Sequence, residues 1–597
     1  MAENQWWERR TSHRHTPQYP AATIIPYPRL PPALDFDTDS FTSNRTYHTS
    51  SDLEKAILNP KTSYYDPAST TSTLTTSHDS TCLLHSAKYN QVPHFPPKRY
   101  PRLVRYFRYT LLTVYRRLFT AVFIGNSIPL ILIFTQHCAT ESIPLSTLAT
   151  AASSNFLATI LIRQDIVINA IFRTAWLVPW SAPFRLRRWV AKCYCYGGIH
   201  SGAAVAGTMW WIAFSTVLTM RFIKDEEGRG GYTLAILLAT LMILALLVII
   251  LVLAYPSFRE RWHNAFEITH RFLGWTSILL FWIQLILLTA RPSTTNPPST
   301  PTFASPSNPP SSLRRAFATR LLRSPTFWNL LTITLLLIYP WLRLRKWNFT
   351  AEVLSPHAIR LRFTHPVRKF SCLSLSTSPL REWHPFATFP SSSPRLDRSS
   401  RAGEGGEETE IEIETETENS LIISSAGDWT RALITRARAQ NPPSPTQISL
   451  YTKGHPHSGL LSLTPLFRTA ILLTTGSGIG PALSSLLHRP PTQRIRLIWS
   501  TRSPVKTYGR DLYERVLRAE PGAVVIDSDV VGRVDLVGVV WGVWRGIGGR
   551  GREGDRGEGE KEEEAVVFVL SNRGITGRVV RGLVGRGVVA LGPVWDS

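Results

Sequence analysis

The sequence predicts a two-part protein. A bundle of about six membrane-spanning helices comes first. A soluble half follows, in which barrel-like β-strands precede an α/β nucleotide-binding unit. Three observations predict this. Long apolar runs recur between residues 118 and 342, each close to the ~20 residues a helix needs to cross a bilayer. After Lys346 the apolar runs shorten to strand length and are bounded by turn residues. Near the end, Ala470–Thr474, Gly476–Pro481, Ala482–His488 and Arg494–Trp499 read as strand, Gly-rich turn, helix and strand.

Residues 1–98 are rich in Ser, Thr, Pro and Tyr without periodicity, the pattern of a disordered cytoplasmic arm. Met1–Arg10 lacks the apolar core of a cleavable leader. The expected helical domain covers residues 106–346, with apolar runs at Leu118–Phe134, Leu145–Phe172, Gly197–Met220, Tyr232–Tyr255, Ile268–Ala290 and Thr326–Leu342. The 66 Lys and Arg against 42 Asp and Glu give a net charge of +24. Such an excess is one mark of nucleic-acid binding, but here the cations crowd the ends of the apolar runs. Arg99, Arg102, Arg105, Arg108, Arg116 and Arg117 precede the first; Arg173, Arg185, Arg187, Arg188 and Lys192 follow the second. Arg343, Arg345 and Lys346 follow the sixth. All three groups share one face if both termini are cytoplasmic. Arg314, Arg315, Arg320 and Arg323 run against that orientation. The expected partners are therefore a lipid bilayer and small molecules, with no nucleic acid. Which membrane is not legible. Arg163 and Asp165 sit inside the second run and are expected to pair near its inner face. The 5 cysteines are scattered, and Cys193 and Cys195 do not have zinc or disulfide-framework spacing.

Residues 347–465 hold the strand-like runs Val353–Phe363, Ser371–Thr377 and Leu421–Ser425, interrupted by an acidic, Ser-rich insertion at 390–419. Two stretches suit a flavin. In His384-Pro385-Phe386-Ala387-Thr388, proline stiffens the chain while the backbone and the Thr388 hydroxyl can face an isoalloxazine. In Gly427–Thr430, glycine permits close approach and Thr430 stands where the helix Arg431–Ala439 begins, a natural pyrophosphate site. Gly454–Gly459 is a further turn able to close around phosphate. The last domain, 466–597, carries Gly476, Gly478, Gly480 and Pro481, a spacing that departs from GxGxxG. A Gly, Arg and Glu-rich insertion occupies 545–564.

Three phrases in order, HPFAT, GDWTRAL and TTGSGIGP, carry a family likeness. The chain resembles flavin reductases of the ferredoxin–NADP reductase type joined to a membrane domain, as in ferric reductases and NADPH oxidases. GGIHSG, HNAFEITHRFLGW, REWHPFAT, AGDWT, IWSTRSPVKTYG and GPVWDS place the resemblance with fungal integral-membrane flavoproteins, over about Tyr106–Ser597. It implies FAD at His384, Pro385, Phe386, Thr388, Gly427 and Thr430, with Trp595 as a candidate shield over the flavin ring. It implies a nicotinamide nucleotide at Gly476, Gly478, Gly480 and Pro481. Ser500 and Arg502 follow the second strand, with Lys506 and Tyr508 nearby and no acid before Asp511, which favours NADPH over NADH. Val534 replaces the proline of the family's Gly-Arg-Pro segment, and Ser571 stands where the oxidases and ferric reductases carry cysteine.

Ferric reductases place two histidines 13 or 14 residues apart on each of two helices. His200 and His270 could supply one inner haem pair, but 213, 214, 283 and 284 are Ala, Phe, Ile and Gln. A two-haem relay is not expected. The function predicted is a membrane-bound flavoprotein oxidoreductase passing hydride from NADPH to FAD, and electrons onward to an unidentified cytoplasmic or membrane acceptor. Two alternatives remain open: a haem-using transmembrane ferric reductase or NADPH oxidase, and a non-catalytic membrane scaffold or signalling protein with a degenerate reductase domain. No general acid or base stands out.

Overall fold

The computed structural model of the chain describes residues 95–137, 142–224, 230–290, 310–391, 418–439, 446–549 and 565–594. Five of its helices are long and apolar enough to cross a membrane: Val114–Gln136, Gly197–Lys224, Gly231–Leu253, His263–Ala290 and Pro325–Leu342. The second expected span is broken. Leu145–Leu161 and Asp165–Trp176 meet at 68°, because the chain leaves helical geometry at Gln164 before the second piece begins. Arg163 and Asp165 thus lie at a corner, and among the described residues they form no ion pair. Arg163 instead lies 6.0 Å over the Tyr196 ring. Asp165 occupies the first turn of its helix, where the helix dipole favours a carboxylate.

Trp211 packs at 4.7 Å on both Phe214 and Phe281 in the middle of the bundle. Polar groups there satisfy one another, as a low-dielectric surrounding demands. The Asn126 carbonyl oxygen accepts from Asn155 Nδ2 at 2.7 Å and from Trp210 Nε1 at 2.9 Å. That single side chain ties three helices together.

The second half contains two sheets. The first comprises β1 (Arg345–Ser355), β2 (Ala358–Phe363), β3 (Ser371–Ser376), β4 (His384–Ala387), β5 (Phe389–Pro390), β6 (Asn419–Ser424), β7 (Thr446–Thr452) and β8 (His457–Ser458). Its order is β4-β3-β7-β1-β2-β6-β5, with β8 on β3, and every pairing is antiparallel. Alternate residues of β1, such as Phe349 and Ala351, point into a core shared with Leu361, Leu375, Leu421 and Trp429. The second sheet is parallel and reads β11 (Val524–Asp527), β10 (Arg494–Thr501), β9 (Thr469–Thr475), β12 (Val566–Leu570) and β13 (Ala590–Leu591). Its central strands are continuous apolar runs because helices cover both faces.

Several sequence boundaries shift. Pro390 pairs in β5 and Asn419 in β6, so the ends of the expected acidic insertion belong to the sheet. The last helix before the Gly, Arg and Glu-rich stretch runs Leu536–Gly549, taking in residues 545–549. The expected disordered arm also ends early, since Phe95 packs 6.2 Å from Trp541. The rest of that arm, most of both insertions and Trp595 lie outside the described residues.

The two halves interlock at the corner. Asp165 Oδ2 accepts from the His455 backbone N–H at 2.9 Å, and Asn169 Oδ1 from that of Ser458 at 2.9 Å. Trp176 Nε1 and Trp180 Nε1 donate to the carbonyls of Ser462 and Pro465. The turn Gly454–Gly459, expected to close around phosphate, is therefore spent on docking. Gly454 has φ +67°, and a Cβ there would lie 2.2 Å from Asp165 Oδ2. Gly454→Ala is expected to cost more than the ~1–2 kcal/mol of a left-handed alanine alone. It should lower the thermal midpoint of the detergent-solubilised chain by several degrees; an unchanged midpoint would show that the docked turn contributes nothing.

Candidate functional site

The Gly-rich turn leaves β9 at Thr475 and enters the helix Ile479–Leu487 through a short turn at Gly476–Gly478. Counting outward from β9, the chain goes to β10 and β11 on one side and to β12 and β13 on the other. The turn therefore stands at the topological switch point, where parallel sheets open a crevice. Across that crevice the Ser571 hydroxyl meets the Thr475 hydroxyl at 2.6 Å. Asn572 caps the helix that follows by accepting from Ile575 N–H. Trp499 Nε1 donates to the Gly476 carbonyl at 3.0 Å and holds the turn from below.

The antiparallel sheet supplies the facing wall. A Cβ on Gly480 would lie 3.9 Å from Ile422 Cβ of β6. Tyr508, buried and 5.5 Å from Trp499, reaches Ser424 at the end of β6 with its hydroxyl at 3.3 Å. Burial raises the Tyr508 phenol above its ordinary range, so it stays protonated and can donate. Immediately past β6 come Gly427 and the helix Asp428–Ala439. The Thr430 hydroxyl accepts from Ala426 and Gly427 N–H and donates to the Gly427 carbonyl, so it is used in shaping its own turn.

Trp429 brings the other predicted stretch to this place. His384 and Phe386 of β4 lie over its ring at 4.5 and 5.9 Å. His384 Nε2 and Trp429 Nε1 are both buried without a hydrogen-bond partner. Burial pushes His384 below its usual range, against the pull of Glu382, so the ring is neutral at pH 7. Pro385 is exposed. Thr388 is turned into the barrel, where its hydroxyl contacts Ser371. Two unpartnered polar atoms beside stacked rings fit a heteroaromatic ligand that brings its own acceptors.

At the end of β10, Ser500 is half-buried and Arg502 exposed, with Lys506 exposed nearby. Asp511 is engaged by Arg360 at 2.9 Å. Sequence reading missed Asp527 and Asp529 of the adjoining strand and helix. Asp527 Oδ1 accepts from the Ser503 N–H at 2.9 Å, and Asp529 Oδ2 from its hydroxyl at 2.8 Å. Parallel pairing of Thr501 with Asp527 brings them there, and no local spacing signals it.

Beneath the barrel, Lys453 lies 5.1 Å from the Trp341 ring and 4.6 Å from that of Trp383. Burial lowers its ammonium to about 8; Arg271 adds to the shift, while Glu267 and Asp165 oppose it. An unfolded lysine keeps its proton to about pH 10.4. Between those values the unfolded state binds more protons, so stability rises with pH. The thermal midpoint of the wild type is expected to rise relative to Lys453→Met from about pH 8 to about pH 10. Parallel curves for the two proteins would remove this contribution.

His200 and His270 lie apart from the crevice, in the helical bundle. His200 Nδ1 hydrogen-bonds the Thr159 carbonyl at 2.9 Å, the kind of orienting partner metal-bound imidazoles have. His270 Nδ1 is buried with no such partner. The pair fits a haem only in part, and no cluster of three metal-ligating side chains occurs among the described residues.

A family profile described as "Adenylate-forming reductase 03009, C-terminal domain" matches residues 460–550. These run from the segment before β9 through most of the parallel sheet. Two proteins of Coprinopsis cinerea, Adenylate-forming reductase 06235 and Adenylate-forming reductase 03009, are each 34% identical to this chain. The alignments cover 84% of this chain and 42% of each relative. The chain thus spans well under half the length of the curated relatives it matches. Among solved structures, a ferredoxin NADP+ reductase from Neisseria gonorrhoeae with bound FAD and NADP is 10% identical. It covers 42% of this chain and 99% of its own at a TM-score of 0.29. A flavohemoglobin from Malassezia yamatoensis with bound FAD and heme is 13% identical over 74% of this chain and 99% of its own, with a TM-score of 0.30.

Proposed function

We propose that this chain is an NADPH-dependent flavoprotein reductase anchored by its apolar helices, with both termini on the cytoplasmic side. One observation carries the reading. The Gly-rich turn at the switch point of the parallel sheet abuts the end of β6, which leads directly into Gly427–Thr430. Two nucleotide-sized ligands gripped at those places would lie side by side.

Gly476, Gly478 and Gly480 offer backbone N–H groups to a pyrophosphate, and Pro481, which has no N–H, stiffens the first turn of the helix there. Ser500, Arg502 and Lys506 would meet the 2′-phosphate. His384, Pro385, Phe386 and Trp429 would hold the flavin, with the Gly427 backbone near its phosphates. When bound, the nicotinamide and the flavin supply the hydride-transfer chemistry, and the chain supplies orientation. Tyr508 and the hydrogen-bonded Thr475–Ser571 pair would line the floor of the crevice. Ala213, Phe214, Ile283 and Gln284 stand where an outer haem pair would need histidines, which favours an acceptor in the cytoplasm or within the bilayer. Of the two activities joined in the relatives' name, the crevice supports the reductive one.

An absorbance scan of detergent-purified full chain before and after NADPH tests this. The expected result is a flavin spectrum that bleaches with NADPH and only slowly with NADH. Arg502→Ala should raise the KM for NADPH about tenfold and leave NADH unaffected, the loss of one charge-assisted contact. Folded protein that neither carries FAD nor takes it up would sink the reading. A Soret band in the same scan would favour the haem-bearing alternative.

A further inference from the structure

A cavity of about 620 Å³ lies outside the crevice, between the segment preceding the first apolar helix and the parallel-sheet domain. One wall carries Lys98, Arg102 and Arg105; the other carries Arg578, Arg581 and Arg586. Among the described residues Asp535 is the one acid lining it, and that carboxylate already accepts from Val537 N–H at 3.1 Å. None of the six cations forms an ion pair among the described residues. The walls are nonetheless held face to face. Arg99 N–H donates to the Gly585 carbonyl at 2.9 Å, and Phe95 lies 4.4 Å beneath the Arg586 guanidinium while packing on Trp541. Arg586 Nε is buried and unpartnered. Six facing cations repel one another, and among the described residues Asp535 is the one carboxylate in the lining to set against them.

We propose that this cavity binds a multiply phosphorylated group, from a phosphoinositide headgroup or a soluble polyphosphate, and that the occupant clamps the pre-helix segment to the parallel-sheet domain. Three facts support this chemistry over a simple chloride atmosphere. The guanidinium groups are forked donors suited to phosphate oxygens. They approach from two walls, which a compact polyanion can bridge. The first wall ends only a few residues before Val114, where the first apolar helix starts, so a lipid headgroup is within reach. The site is independent of the redox reading, since no crevice residue lines it.

Binding of inositol hexakisphosphate to the full chain in detergent, and binding of the chain in nanodiscs with or without phosphatidylinositol bisphosphate, test the proposal. Saturable binding of the first assigns a soluble source; a requirement for bisphosphate nanodiscs assigns a lipid source. Two variants, Arg578→Gln with Arg581→Gln and Lys98→Gln with Arg102→Gln, should each weaken binding at least about tenfold. Both alter exposed side chains on separate walls, so folding is retained and checked by melting. Arg436→Gln with Arg438→Gln, on the exposed face of the helix Asp428–Ala439, should leave binding unchanged. No binding of either probe, equal loss in all three variants, or displacement by NADP+ would overturn the proposal.

Discussion

Gly478→Ala is expected to lower NADPH-dependent flavin reduction about a hundredfold while FAD content stays at the wild-type level. The cause is steric and local. A Cβ at 478 would lie 2.1 Å from Thr474 Oγ1 and 3.1 Å from the Leu570 carbonyl. Thr474 is β-branched, stiff and 1% exposed, and the carbonyl belongs to β12, so neither can retreat. The turn itself must move out of the switch point. A displacement near ~1 Å at a positioning loop is enough for a loss of that size. The flavin wall belongs to the other sheet and is left alone. Stopped-flow reduction together with FAD quantitation separates the two effects. Wild-type rates in Gly478→Ala would mean that this turn does not position the nucleotide.

Phe389→Ala is expected to give the largest loss of stability, about 3–5 kcal/mol. Phe389 is fully buried, and the guanidinium carbons of Arg360 and Arg515 each sit 6.0 Å from its ring. Arg360 holds Ser420 at 3.0 Å and Asp511 at 2.9 Å, while Arg515 donates to the carbonyls of Pro390 and Ser391. The ring therefore packs beside two buried cations that stitch the antiparallel sheet to the helix Arg510–Ala519. Burial, with Arg360 next, already pushes Arg515 down to about 10. Removing the ring opens a cavity beside two like charges. The midpoint of thermal FAD release should fall by roughly ten degrees or more. Phe389→Leu, which keeps much of the volume but not the π face, should lose less. Equal midpoints for wild type and alanine variant would refute the stitching role.

The local structure of the candidate stretches was legible because it depends on neighbouring residues. A strand, Gly476–Pro481 and a helix announce themselves in consecutive residues, as do His384–Thr388 and Gly427–Thr430. What escaped depends on partners far along the chain. Trp499 reads as a strand residue, and only the parallel register places its indole under Gly476. Asp527 and Asp529 reach Ser503 by the same route. The corner at 162–164 was hidden because the apolar residues around Arg163-Gln164-Asp165 continue on either side. Gly454–Gly459 looked like a phosphate turn since glycine, proline and hydroxyl serve docking equally well, and the acceptor of its N–H groups lies about 290 residues earlier.

The corner helix also decides how the molecule can be divided. A clone starting at Lys346 would contain almost every strand of both sheets. It would lack Ile168, Phe172 and Ala175, whose side chains fill one apolar cluster with Leu461, Leu463, Leu466 and Phe467. Such a fragment would bare a greasy seam to water and gather into aggregates, however well its strands paired. The hydrophobic helices are in this respect a wall of the two-sheet half, and a fragment cut from them is an unfinished building.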